Sequence, residues 1–405
     1  MHKPELLAPA GNLEKLKIAF LYGADAVFVG TSRFGLRKYA PNFSLAELAY
    51  GVGLANQTGK HVYVVLNGFA HNSDMDQIRH YLEELQEIGP SGLIIADMGV
   101  FQLAKKYTTL PLHVSTQASV TNYREVQLWK DAGASRVILG REVSVAECRR
   151  IHEHLDIELE VFIHGAMCAS YSGKCVISNY SSGRDSNRGG CCQSCRHRYD
   201  ILEPETKALE YSAHIMNSKD LMGLSMLGDA MEANIASLKI EGRMKSNLYV
   251  ANTVSVYRAA IDETYDRLQS GQKSDSQEGY EKRLSLVSNR SFTDKGIGGE
   301  FGYDSVHTNF GAYEKDIDFI GTVKQVAVYE AVFIELKVQV RIGDHLHLHN
   351  SVGERVLFVV NEMWNMADEP IEIAQANKLI KLPYISGALQ GLVISKTISQ
   401  LAMAS

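Results

Sequence analysis

The 405-residue sequence has no apolar run long enough to cross a membrane, and its opening, MHKPELLAPAG, has no apolar core of the kind a secretory signal needs. A cytoplasmic protein is expected. There is no surplus of basic residues: 41 Lys and Arg stand against 47 Asp and Glu, a formal charge of −6, so contact with nucleic acid would have to rest on a local patch. No G-x-G-x-x-G follows the first strand-like segment, which weighs against a dinucleotide-binding sheet. Neither a G-x-S-x-G elbow nor H-E-x-x-H occurs, and HEH at 152–154 has the wrong spacing for a zinc protease. Cysteine is scarce, six in all, yet five of the six fall between residues 168 and 195. In a reducing compartment, clustered thiols more often bind metal or do redox work than form disulfides.

What is present is an ordinary globular composition, 45% hydrophobic and 22% charged, arranged as a repeat. Short apolar runs rich in Val, Ile and Leu recur at 5–11, 26–30, 61–67, 92–97, 112–117, 136–142, 159–165 and 237–243. Amphipathic stretches such as MDQIRHYLEELQEIG and NYREVQLWKDAG separate them, several closed by glycine. Before the last of these stretches Ser246 can cap a helix whose Val250, Val254, Tyr257 and Ile261 share a face. Eight such units predict an α/β fold, a closed (β/α)8 TIM-like barrel over residues 1–268. The seventh and eighth runs are much farther apart than the others, so a Cys-rich insertion of about 165–233 leaves the C-terminal end of strand seven, the face where barrel enzymes place their chemistry. Residues 269–318 read as a polar linker and a Gly-rich connector. Alternating strands from 319 to 405 predict a small all-β barrel with no basic surplus.

Cys168, Cys175, Cys191 and Cys195 are separated by six, fifteen and three residues. Zinc knuckles use two paired C-x2-C units, and the sequence does not supply two. Thiolates spread over loops suit an iron–sulfur cluster. On spacing alone a cluster, a zinc site and ordinary thiols all remain open. Cys148, within SVAECRRIHEHL, reads as a small buried hydrophobe.

The segment EVFIHGAMCASYSGKCVIS (160–178), with PELLAPAG, YGADAVFVG, MNSKDL, SLKIEGRMKS and NRSFTD in order along the chain, resembles the collagenase-like peptidase family U32. The long form with a small C-terminal barrel is similar to the branch of that family that hydroxylates the wobble uridine of tRNA to 5-hydroxyuridine. The resemblance implies a [4Fe–4S] cluster on Cys168, Cys175, Cys191 and Cys195, with Cys192 outside the pattern though able to replace Cys191. It also implies prephenate as the oxygen donor and the anticodon loop of tRNA as partner. Other members act on ribosomal RNA or ubiquinone precursors. Peptidase activity, for which Cys168 beside His164 is the conceivable nucleophile and base, leaves the other cysteines without a role. A non-catalytic partner carrying a structural metal site is the third class.

The remaining candidates end barrel strands. Prephenate carries two carboxylates, and Arg binds a carboxylate through two parallel hydrogen bonds. Arg141 and Arg243 are the first choices for this, with Arg33 and Arg37 behind them; each taken alone better fits a solvated or helix-capping charge, and it is their meeting at one mouth that makes them candidates. Gln117 and His164 are the candidates for orienting substrate or moving a proton, and Asn67 joins them as a strand-end polar group. Lys239 and Glu241 share a strand face and form either part of the substrate site or an internal ion pair. Between 165 and 200, Lys174, Arg184, Arg188, Arg196 and Arg198 outnumber Asp185 and Asp200. Tyr171, Tyr180 and Tyr199 lie among them as possible stacking partners for an unpaired base. A solvated loop with packed tyrosines is the plainer reading.

Overall fold

The computed structural model describes residues 2–35, 42–272, 277–308 and 313–398. Eight short parallel strands form the centre: β1 (Glu5–Ala10), β2 (Ala26–Val29), β3 (His61–Leu66), β4 (Gly92–Ile95), β5 (Leu112–Val114), β6 (Arg136–Ile138), β7 (Glu158–Ala166) and β8 (Ser237–Ile240). Each pairs with the next in the cycle, and β8 pairs with both β7 and β1, so the sheet closes as the eightfold repeat predicts. The strands are buried on both faces, which is why they read as unbroken Val/Ile/Leu runs rather than alternating ones. Side chains cap the helix starts between them. Ser44 and Glu47 make a reciprocal capping box, and Asn12, Asp97, Asn122 and Ser144 each accept a backbone N–H of the first turn. Ser246 caps the helix Asn247–Gln269, whose Val250, Val254, Tyr257 and Ile261 are all buried. Among the described residues no helix is long and apolar enough to cross a membrane.

The insertion between β7 and β8 contains the helix Ile177–Ser182, two single 3-10 turns, the hairpin Tyr199–Leu202/Leu209–Ala213 and the strand Asp220–Met222. That last strand runs antiparallel beside β7, and the strand Phe292–Thr293 pairs in parallel on its outer side. The stretch after Gln269 is therefore more than a linker: it holds the helix Glu278–Ser285 and returns to brace the insertion.

The C-terminal part is all-β. Six antiparallel strands lie in the order Arg355–Val359, His345–His349, Val393–Thr397, Ile317–Ala327, Ala331–Leu336, Leu379–Pro383. Among the described residues the two end strands do not pair, so the expected small barrel is a half-barrel. It packs against the barrel's helices: the buried Tyr22 hydroxyl donates to the His349 carbonyl at 2.7 Å and accepts from the Val393 N–H at 3.1 Å.

Candidate active site

Asn67 follows β3, Gln117 follows β5, Arg141 follows β6, Cys168 follows β7, and Glu241 and Arg243 follow β8. All are at strand C-termini, so barrel closure alone brings them to one mouth. Over that mouth lies the insertion. Together they enclose a cavity of about 170 Å³ lined by Cys168, Cys175, Cys191 and Cys195 and also by Asn67, Gln117, Arg141, Lys239, Glu241 and Arg243. Ten residues singled out from the sequence thus line one space.

Two glycines make this approach possible. A Cβ on Gly30 would lie 1.9 Å from the Arg243 guanidinium, and a Cβ on Gly173, whose φ is +79°, would lie 2.0 Å from the Gln117 carbonyl oxygen. The first lets Arg243 reach across the barrel top, and the second lets the cysteine loop settle on the end of β5.

The insertion is pinned by its own basic residues. Arg188 donates to the Phe69 carbonyl (2.7 Å) and to Asp74 (2.8 Å). Arg196, next to Cys195, donates to the Met167 carbonyl next to Cys168, to the Ser218 carbonyl (2.7 Å) and to Asn217 (3.2 Å). Asn187 Nδ2 holds the Cys175 carbonyl at 3.0 Å. Arg188 and Arg196 are therefore spent on structure, and the basic patch reduces to the exposed Lys174, Arg184 and Arg198. Tyr171 and Tyr180 are exposed, Tyr171 at the cavity rim, whereas Tyr199 is half-buried with its hydroxyl on the Ser194 carbonyl.

No cysteine is in a disulfide. Burial pushes the Cys195 thiol up; Arg196 works against this, while Cys168, Cys191 and Cys175 reinforce it, so the other three sulfurs lie within electrostatic reach of Cys195. Among the described residues no three Cys, His, Asp or Glu side chains close on a single-ion site. Four thiols spread round a cavity fit the donor set of a cluster held at its corners. Cys192 points elsewhere: its sulfur lies within 3.4 Å of the hydroxyls of Ser178, Ser182 and Ser194, which bring its pKa down to about 7. Cys148 is fully buried, its thiol pushed up to about 12 chiefly by burial.

The arginines differ. The Arg141 guanidinium lies 3.9 Å over the Phe162 ring, and its Nε and Nη1 are buried with no hydrogen-bond partner. A planar fork so placed is a binding group for a planar anion. Arg33 is elsewhere, in an exposed ion pair with Glu84 at 2.7 Å, and Arg37 lies outside the described residues.

Two expectations are corrected. Lys239 does not pair with Glu241. Its Nζ is 2.8 Å from Glu160, which Arg136 approaches at 3.2 Å. Burial works to raise the Glu160 pKa, but Lys239 and Arg136 outweigh it, and the carboxylate is held ionised between two cations. His164 does not line the cavity. Period two would put it on the face of Glu160 and Phe162, but the register between β7 and β8 shifts after Phe162, and this bulge turns it to the other face. There its Nδ1 lies 3.2 Å from the Tyr257 hydroxyl among Tyr249, Tyr257 and Phe292, and burial, aided by Lys245, lowers its pKa to about 3. It is a neutral packing residue, and no Cys168–His164 nucleophile–base pair is formed.

The sequence reading missed the polar network beneath the cavity: Arg136, Glu160, Glu5, Tyr63 and His113. Its signal was present as single charges of opposite sign inside neighbouring apolar strands, Glu160 in LEVFI and Lys239 in SLKI.

The fold and site together define a closed parallel (β/α)8 barrel protein with four thiols folded over its mouth. Comparison with known families makes it specific. The model of peptidase family U32 matches residues 11–302, and that of the family's C-terminal domain matches 315–394. The chain belongs to peptidase family U32. It is 51% identical to the tRNA hydroxylation protein P1 of Bacillus subtilis over 64% of this chain and 63% of that one, just under two thirds of the relative's length. It is 32% identical to the tRNA hydroxylation protein P of Escherichia coli over 92% of both chains. It is 36% identical to the E. coli 23S rRNA 5-hydroxycytidine C2501 synthase over 64% of this chain and 40% of that one.

Proposed function

We propose that this chain is an RNA-modifying enzyme of the cytoplasm that hydroxylates the wobble uridine of tRNA at carbon five, with prephenate as oxygen donor and a [4Fe–4S] cluster on Cys168, Cys175, Cys191 and Cys195. The observation that carries the reading is the mouth cavity, where four thiols and an unpartnered guanidinium meet. Relatives named for tRNA hydroxylation support the substrate.

When bound, the cluster supplies electron-transfer capacity at the cavity wall. The rest falls to side chains of this chain. Arg141, whose buried Nε and Nη1 have no hydrogen-bond partner, takes one carboxylate of prephenate on its guanidinium, and Arg243, brought over by Gly30, takes the other. Lys239, held by Glu160, keeps the floor cationic beneath them. Gln117 and Asn67 offer amides to the uracil edge, and Glu241 brings a carboxylate to the cavity, suited to hold or accept a proton beside the ring. Tyr171 at the rim stacks on the splayed base.

The test is mass spectrometry of tRNA nucleosides from a deletion strain complemented with wild type, Cys175→Ala, Cys191→Ser or Cys192→Ser, grown with and without oxygen. Wild type and Cys192→Ser restore 5-hydroxyuridine and its derivatives; Cys175→Ala and Cys191→Ser do not. Persistence of the nucleoside in the deletion strain in both atmospheres overturns the tRNA assignment and moves the search to ribosomal RNA.

A further inference from the structure

The single turn Ser186–Arg188 carries one idle side chain among busy neighbours. The Asp185 carboxylate accepts the Asn187 N–H at 2.9 Å. Asn187 Nδ2 holds the Cys175 carbonyl, and its own carbonyl accepts the Phe69 N–H at 2.9 Å. Arg188 reaches the Phe69 carbonyl and Asp74. Ser186 donates its N–H to Asn179 Oδ1 at 3.0 Å, so its backbone is fixed as well. Its hydroxyl is different. The residue is only 6% exposed, and its buried Oγ has no hydrogen-bond partner among the described residues. A buried hydroxyl without a partner opposes folding, so this position calls for an acceptor from outside the chain.

Two contacts place Ser186 between cysteines. On one side its neighbour Asn187 grips Cys175. On the other, its neighbour Asp185 accepts on its carbonyl, at 2.7 Å, the N–H of Gly190, the residue before Cys191. A Cβ on Gly190 would lie 2.6 Å from that carbonyl oxygen, so glycine is needed for the approach. Ser186 itself lines the cavity shared by Cys168, Cys175, Cys191 and Cys195. It comes from the insertion, as the cysteines do, whereas Gln117, Arg141 and Arg243 come from the barrel strand ends.

We propose that the Ser186 hydroxyl donates a hydrogen bond to a sulfur of the iron–sulfur cluster and raises its reduction potential. The inference rests on the cluster of the proposed function. Thiolate-bound cluster sulfurs are negative and become more so when the cluster takes an electron. An O–H dipole aimed at one of them therefore favours the reduced form. Ser186 is a positioning residue: it acts on the cluster and not on the uridine.

The test uses the full chain, reconstituted without oxygen, as wild type, Ser186→Ala and Ser186→Thr. Iron and sulfide per chain give the loading, EPR at graded potentials gives the midpoint, and the apo forms are melted. Ser186→Ala shifts the midpoint to a more negative potential, while Ser186→Thr, which keeps the hydroxyl, stays with wild type. Apo Ser186→Ala melts at the wild-type temperature or above it, because the hydroxyl has no partner in the chain to lose. An alanine variant that fails to load, with an unchanged apo melt and a threonine variant that loads, also supports the assignment. A loaded alanine variant with an unchanged or more positive midpoint overturns it and leaves the cluster standing. A lower apo melting temperature for Ser186→Ala, or failure of both variants to load, overturns it equally, since the residue then serves the loop itself. Wild-type chain that takes up no cluster overturns the cluster reading and this inference with it.

Discussion

The two ends of the barrel both bury charge, and they treat it in opposite ways. At the base, Arg136 touches Glu5 (2.6 Å), Glu158 (2.8 Å) and Glu160 (3.2 Å), Glu160 also holds Lys239, and Glu5 accepts from Tyr63 and Ser237. The charges there have partners of opposite sign, and they come from strands β1, β6, β7 and β8, so the network fastens the barrel where it closes. At the mouth, a few residues further along β6, Arg141 keeps two buried nitrogens with no partner. Desolvating a guanidinium without compensation opposes folding. The base therefore shows what this chain does with charge that serves structure, and the mouth keeps buried charge that the proposed function assigns to a ligand.

The largest effect that tests this contrast is at the base. Glu160→Gln leaves Arg136 and Lys239 buried against each other and should lower unfolding free energy by about 3–5 kcal/mol in urea titrations. Acid comes next. Burial, with Arg136 nearby, lowers the His113 pKa to about 3, and its Nδ1 has no partner. The unfolded chain takes up that proton near the ordinary histidine value and the folded chain does not. Stability from this group is complete above about pH 6.5 and falls as pH drops toward 3, by roughly 1.4 kcal/mol per unit. Urea midpoints of wild type and His113→Gln at pH 7 and pH 4.5 should show the smaller acid loss in the variant. At the mouth the order of readouts reverses: Arg141→Ala should leave the melting temperature unchanged or higher and raise KM for prephenate roughly 10- to 100-fold, as loss of charge-assisted hydrogen bonds does. Arg141→Lys should not rescue it, because an ammonium lacks the fork. A fall in stability equal to that of Glu160→Gln would erase the distinction between the two ends. The smallest effect is outside both: Arg33→Ala, breaking an exposed pair with Glu84, should cost about 1 kcal/mol or less and leave KM alone.

Much of this was legible in the sequence because strands of a closed parallel barrel are buried on both faces, and eight apolar runs at a regular interval leave few other folds. The mouth was legible for the same reason: a residue just after a barrel strand must lie at the C-terminal face, which places Asn67, Arg141 and Arg243 without any knowledge of contacts. What failed depended on local register or on distant partners. His164 obeys the alternation of its strand until a single bulge reverses it, and nothing in EVFIHG announces the bulge. Lys239 has an acid two residues away, just past the end of its own strand, and takes instead the one on the neighbouring strand, a choice set by pairing in space. Arg188 and Arg196 look like a surface patch in a linear reading because the carbonyls they hold come from Phe69, Met167 and Ser218.

The strand Phe292–Thr293 pairs with Asp220–Met222, which lies beside β7, and Arg290 steadies Gln193 within the cysteine turn. A ribosome delivers the chain from its N-terminus. Cys168 through Cys195 emerge long before the residues that brace them, and the whole of β8 and its following helix must appear in between. An unfinished chain carries all four thiols without their scaffold, so the order of synthesis ties a settled cysteine loop to a completed barrel.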